Sequence, residues 1–177
     1  MKKTTNLGVI LFRLFVPLSL LWNPFWGGIA SIIVDSLDVI LIDLLHHKKF
    51  TNYTLMDKTL DTYYLSLELL IALTWQDNFA KYLALFLFLH RFVGYLLVMF
   101  THKRIFLVLF PNIFEYHFLI YVYFLQFQKL KLSSLEQLKF LALIIPLKLA
   151  HEYILHYKKL KPWEKIKHFY FAINGKR

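Results

Sequence analysis

Apolar residues along the chain gather into six long runs separated by short polar breaks. The runs cover residues 7–22, 26–45, 59–75, 82–100, 105–127 and 138–157. Each approaches the roughly 20 residues with which a helix crosses about 30 Å of hydrocarbon. None shows the period-two alternation of barrel strands, and helices satisfy their own backbone hydrogen bonds in lipid. The pattern therefore predicts an all-α, polytopic membrane protein with six transmembrane helices. Between the first two runs, Asn23 and Pro24 predict a tight turn. Gly27 and Gly28 predict a close start for the second helix.

Composition agrees with the pattern. The chain has 177 residues, of which 58% are hydrophobic and 19% aromatic, with a mean hydropathy of +0.50. A soluble domain of this size carries less Leu, Phe, Ile and Tyr. The expected organisation is one membrane domain, residues 1–157, followed by a basic tail, residues 158–177. The tail mixes lysines with Trp163, Phe169, Tyr170 and Phe171. It is read either as an amphipathic segment held on anionic lipid or as a solvated basic tail that enforces topology. The basic, apolar N-terminus resembles a signal peptide. It lacks a small-residue cleavage site and is expected to stay as the first helix. With no cysteine, disulfides and thiolate metal sites are excluded.

The net charge of +10 raises nucleic acid as a partner. In a chain this apolar, Lys and Arg instead mark cytoplasmic loops. With the N-terminus inside, the inside segments hold fourteen Lys and Arg, including Lys48, Lys49, Lys58, Lys103 and the tail. The outside segments hold four: Lys81, Lys129, Lys131 and Lys139. Both termini are thus expected in the cytoplasm, and so is the connection between the second and third runs.

That connection is the anomaly of the sequence. Residues 35–61 contain Asp35, Asp38, Asp43, Asp57 and Asp61, five of the chain's eleven acidic residues. Carboxylates beside lipid-grade sequence are costly and mark function by default. At about 100° per residue, Asp35 and Asp38 lie about 60° apart on one helix. Asp57 and Asp61 are one turn apart on the next, and Tyr64 and Glu68 continue their stripe. A tight hairpin brings the two acidic faces together. Carboxylates that close repel one another or take up protons, unless a divalent cation relieves them. Hard oxygen ligands suit magnesium, manganese or calcium rather than zinc, and such ions bridge phosphate oxygens.

Here the sequence resembles the CDP-alcohol phosphatidyltransferases, whose signature is D-x2-D-G-x2-A-R-x8-G-x3-D-x3-D. Asp35-Ser-Leu-Asp38 matches the opening pair and Asp57-Lys-Thr-Leu-Asp61 the closing pair, with one extra residue between them. Arg13 and Pro17 in the first run match the family's first span, and the six-span plan matches its architecture. The resemblance covers residues 6–75 in detail. It implies an enzyme of phospholipid biosynthesis that moves a phosphatidyl or other substituted phosphate group from a CDP-linked donor to a small alcohol, releasing CMP. Asp35, Asp38, Asp57 and Asp61 would hold Mg2+ or Mn2+, and Asp61 would be the catalytic base. Homodimers occur in the family. The departures are Val39, Ile42, Asp43 and Tyr53, which replace two glycines, an alanine and an arginine. Asp43 reverses a charge where the family offers a phosphate-binding cation, so Lys58, Lys48, Lys49, His46 and His47 are the substitutes in reach. Asp43, Lys58, Arg13 and Arg91 are the candidate substrate-binding residues.

The alternatives are a catalytically inactive member of the same fold, or a transporter coupled to ions or protons. Convergence of the aspartates on a cytoplasmic cleft favours the enzyme, whereas a path lined by Glu68 and Glu115 favours transport. Arg91 and Lys148 are candidate phosphate ligands, and for Arg13, His90, Arg91, Glu115, His117 and Lys148 the plainer reading is a buried ion pair or a snorkelling side chain. His151, Glu152 and His156 resemble a zinc-protease helix, but their i, i+5 spacing puts the imidazoles about 140° apart. His46 and His47 read as part of a basic turn. The aromatics of the fifth run read as packing or lipid-facing residues.

Overall fold

The computed structural model describes residues 4–44, 53–103 and 105–154, with side chains described for residues 8–37, 56–103 and 105–154. Among these residues the chain is all-helical. Its helices are α1 (Thr4–Phe15), α2 (Pro24–Leu44), α3 (Tyr53–Ala72), α4 (Asn78–Thr101), α5 (Ile105–Leu109), α6 (Phe114–Tyr123) and α7 (Ser134–Glu152). The tail, residues 158–177, lies outside the described residues, as do His46, His47, Lys48 and Lys49.

The first apolar run is not one helix. Pro17 opens a 3-10 segment, Val16–Leu21, directly after α1. Proline has no N–H to give to an α-helical ladder, so the change of helix type at this point has a local cause. The turn to α2 is as tight as Asn23 and Pro24 predict. The Asn23 side chain accepts the Trp26 N–H at 3.1 Å, and Pro24 is the first helical residue, where its missing N–H costs nothing. Gly27 lies against the 3-10 segment, where an added Cβ would sit 2.6 Å from the Leu20 Cα. Gly28 faces Leu119 and Glu68. Small residues let helices approach to backbone distance, and both positions use that.

Caps set the later boundaries. Asp77 precedes α4 and accepts the N–H groups of Phe79 and Ala80 at 2.9 and 3.2 Å. His102 closes α4 in the left-handed region, φ 56°. Ser133 and Glu136 form a reciprocal capping box at the start of α7. The fifth run breaks at residues 110–113, between α5 and α6, where Pro111 cannot continue the ladder. That break places the Phe110 carbonyl and the Asn112 side chain beside the site described below.

The core is aromatic. Phe114, Phe118 and Tyr121 of α6 are fully buried against Trp75, Ala80, Ala84 and Leu87. Trp75 lies 4.2 Å, ring centre to ring centre, from Tyr121. Asp77 also accepts the Tyr121 hydroxyl and the Gln137 amide, at 3.2 and 3.1 Å, tying the start of α4 to α6 and α7. The outside is apolar as well. Phe12, Phe15, Trp22, Phe86, Phe100 and Leu147 are all more than half exposed. Large exposed apolar side chains in such number suit a surface that meets lipid or another protein.

Two stretches are long and apolar enough to cross a membrane, Asn78–Thr101 and Ile105–Gln128, the second counted across its break. Over their described residues the other predicted spans are largely helical but shorter in apolar length or interrupted by charge. Asp35, Asp38 and Asp43 interrupt α2, whereas Asp57, Lys58, Asp61 and Glu68 interrupt α3.

Candidate metal centre and cavity

The second and third helices converge as the spacing predicts. Asp35 of α2 meets Asp57 and Asp61 of α3, one carboxylate oxygen of each lying within 4.8 Å of the others. Asp57 and Asp61 share a face of α3 because a four-residue step is just over one turn. Asp38 and Asp43 lie on α2, but their side chains are outside the described residues.

Arg13 stands at the centre of this cluster. Its Nη1 donates to Asp57 Oδ1 at 2.8 Å, and its Nη2 donates to Asp35 Oδ1 and, at 2.5 Å, to Asp61 Oδ1. The side chain is 5% exposed. Lys58 serves the other side, its Nζ lying 2.6 Å from Asp61 Oδ2 and 3.0 Å from Asp57 Oδ2. Lys58 precedes the apolar run that starts at residue 59. Burial pulls its ammonium pKa down, and the Asp61 and Asp57 carboxylates overcome this and carry it above the ordinary lysine value.

The three carboxylates fit a hard divalent cation in donor type and spacing. They are also the carboxylates that Arg13 holds, so a metal ion and the guanidinium draw on one set of residues. Arg13 was expected among substrate ligands, and the structure gives it three carboxylate partners.

A cavity of about 380 Å³ opens beside the cluster. One wall carries Asp35, Asp57 and Asp61. The others carry Lys58, Arg91, Asn112, Glu115 and, from α7, Lys148 and Glu152. Arg91 of α4 is 9% exposed and donates from Nη1 to the Phe110 carbonyl at 2.8 Å. Lys148 sits 3.5 Å from Glu152 and over the Tyr116 ring. The plainer reading therefore holds for Lys148, which is ion-paired, but Arg91 has no carboxylate within ion-pair distance among the described residues.

Behind the aspartates lies a second polar group. The Tyr64 hydroxyl is 2.7 Å from Glu68 Oε1 and 3.1 Å from Glu115 Oε1. A hydroxyl has one hydrogen, so two carboxyl groups share it. Asn112 Nδ2 donates to Glu115 Oε2 at 2.9 Å. Glu68 is fully buried, and its Oε2 has no partner among the described residues. Glu115 lines the cavity, whereas Glu68 does not. The stripe Asp57, Asp61, Tyr64, Glu68 was legible from helical spacing. Its pairing with Glu115 required the contact between α3 and α6, which a single sequence does not signal.

No family model matches the chain, and neither a curated protein nor a solved structure matches it.

Proposed function

We propose that the chain is a six-span membrane enzyme of the CDP-alcohol phosphatidyltransferase type, with both termini and the acidic cluster on the cytoplasmic side. The observation that carries this reading is the convergence of Asp35, Asp57 and Asp61 on one wall of a cavity whose other walls carry Lys58, Arg91 and Lys148. The apolar exterior and the two membrane-length stretches support placing it in a bilayer.

Asp35, Asp57 and Asp61 hold a Mg2+ or Mn2+ ion in this reading, with Asp38 as a fourth candidate. When bound, the ion supplies charge neutralisation at the donor's pyrophosphate. Lys58, Arg91 and Lys148 bring positive charge to the same cavity, which also carries the Glu115 and Glu152 carboxyl groups. The acceptor's hydroxyl oxygen attacks phosphorus, the bond to CMP breaks, and Asp61 takes the hydroxyl proton. Each Asp61 oxygen already has one cationic donor, Arg13 on Oδ1 and Lys58 on Oδ2, and each keeps a further lone pair that can take the proton.

The buried chain Glu68–Tyr64–Glu115 favours a second reading, a transporter coupled to ions or protons. Val39, Ile42, Asp43 and Tyr53 favour a third, a fold that has lost transfer. One experiment separates the first from both. Purified protein is incubated with CDP-diacylglycerol, Mg2+ or Mn2+ and a panel of alcohols, and CMP release is measured. Acceptor-dependent release supports the transferase. No release with any acceptor, or equal release from an Asp61→Asn variant, rejects it.

A further inference from the structure

We propose that Glu68, Tyr64 and Glu115 form a proton store that opens on the cavity at Glu115 and ends blind at Glu68. It holds one exchangeable proton between two carboxyl groups. It goes beyond the transferase reading and does not depend on it.

Hydrogen counting carries the first step. Tyr64 Oη lies 2.7 Å from Glu68 Oε1 and 3.1 Å from Glu115 Oε1. Ionised carboxylates only accept, and a hydroxyl gives one hydrogen. With both glutamates ionised, one of these two contacts would set oxygen lone pairs against each other in the interior. A single proton on the pair removes the conflict. The carboxyl that carries it donates to Tyr64, and Tyr64 donates to the other. In a transfer outward, the Glu68 proton passes to the Tyr64 oxygen as the Tyr64 proton passes to Glu115. Both hydrogen bonds reverse, and the negative charge moves from Glu115 to Glu68.

The two ends differ. Glu68 is fully buried, does not line the cavity, and its Oε2 has no partner among the described residues. A bare carboxylate oxygen is costly there, and the carbonyl oxygen of a neutral carboxyl costs much less. The proton is therefore stored at Glu68. Glu115 lines the cavity, and its Oε2 accepts the Asn112 amide at 2.9 Å, a contact that suits the ionised form. The charges facing Glu115 are Lys148 of α7, Arg91 of α4 and Asp61 of α3, all on the cavity. From α2, Glu68 meets only the uncharged Gly28 among the described residues. A proton released in the cavity thus meets an acceptor at Glu115, and a proton needed there has a source behind it. In the transferase reading, that is the proton which Asp61 takes from the alcohol.

Infrared spectroscopy of the purified full chain at about pH 8, where exposed carboxyl groups are ionised, tests the store. The expected result is a protonated-carboxyl stretch that is lost in Glu68→Gln and kept in Glu115→Gln. In D2O this band shifts as its proton exchanges. Glu115→Gln is expected to slow the shift by about tenfold or more, since an amide relays no proton and exchange then waits for local opening. A merely structural hydrogen bond would leave that rate unchanged. The store is overturned by the lack of a band that depends on Glu68, by loss of the band in Glu115→Gln, or by unchanged exchange in a folded Glu115→Gln. In proteoliposomes carrying a pH-sensitive dye, no proton flux that depends on Glu68 is expected. Flux that Glu68→Gln abolishes overturns the blind end. None of these measurements involves CMP release, so failure of the store and failure of the transferase reading are read separately.

Discussion

Removing Arg13 is the sharpest structural perturbation available. Arg13→Ala deletes a 5%-exposed guanidinium that contacts three carboxylates and leaves Lys58 as the described cation on Asp57 and Asp61. Breaking a fully buried ion pair costs about 3–5 kcal/mol. The figure falls here because the Asp35 side chain is 46% exposed and its share is screened by solvent. A loss of about 2–4 kcal/mol is expected. For a chain of this size that is a fall in melting temperature of about 4–16 °C, at about 2–4 °C per kcal/mol. Arg13→Lys should fall between the two, because one ammonium cannot hold three carboxylates in a fixed fork. Thermal unfolding of the three proteins in one detergent, with and without Mn2+, is the assay. Mn2+ should stabilise Arg13→Ala more than the wild type, since the ion no longer shares its three carboxylates with a guanidinium. An Arg13→Ala protein as stable as the wild type would refute the view of Arg13 as the charge centre. A variant that Mn2+ does not stabilise would refute the shared donor set.

Three further outcomes follow from named contacts. Tyr64→Phe removes the described hydrogen-bond partner of Glu68 Oε1 in a fully buried carboxyl and should cost about 1–3 kcal/mol by thermal unfolding. Asp77→Ala removes the cap of α4 and the acceptor for Tyr121 and Gln137, and should cost about 2–3 kcal/mol, with Asp77→Asn milder. Gly27→Ala drives a methyl into the Leu20 backbone, which cannot step aside, and should cost about 1–3 kcal/mol. Gly28→Ala meets the end of the Leu119 side chain, 2.7 Å from the added Cβ, and should be milder because that side chain can rotate away. Equal costs at the two glycines would count against the close approach of α2 to the 3-10 segment.

Helical class, the Asn23–Pro24 turn and the facing of Asp35 toward Asp57 and Asp61 were legible in the sequence. The first two depend on spacing within about one helix or one turn, and the third adds only that α2 and α3, consecutive in the chain, pair as a hairpin. The interruptions were harder to place. Pro17 and Pro111 stand inside runs that hydrophobicity alone joins, yet each ends α-helical geometry locally. The role of Arg13 was not legible, because its partners lie 22, 44 and 48 residues away. The same is true of Glu115, which meets Tyr64 across 51 residues. Arg91 was singled out as an ionisable residue in an apolar run. That it has no carboxylate within ion-pair distance among the described residues is a property of the packed helices and not of the run. The motif departures at Val39, Ile42 and Asp43 fall on α2, where side chains lie outside the described residues, and Tyr53 begins α3 under the same limit.

The central claim is that Asp35, Asp57 and Asp61 form a divalent-cation centre. Mn2+ binding to the purified protein, followed by electron paramagnetic resonance, tests it without any assumption about substrate. The expected result is saturable binding that Mg2+ competes away, and that weakens at least tenfold in both Asp57→Asn and Asp61→Asn proteins that remain folded. Mn2+ binding that is absent in the wild type, or unchanged in both folded variants, would contradict the account.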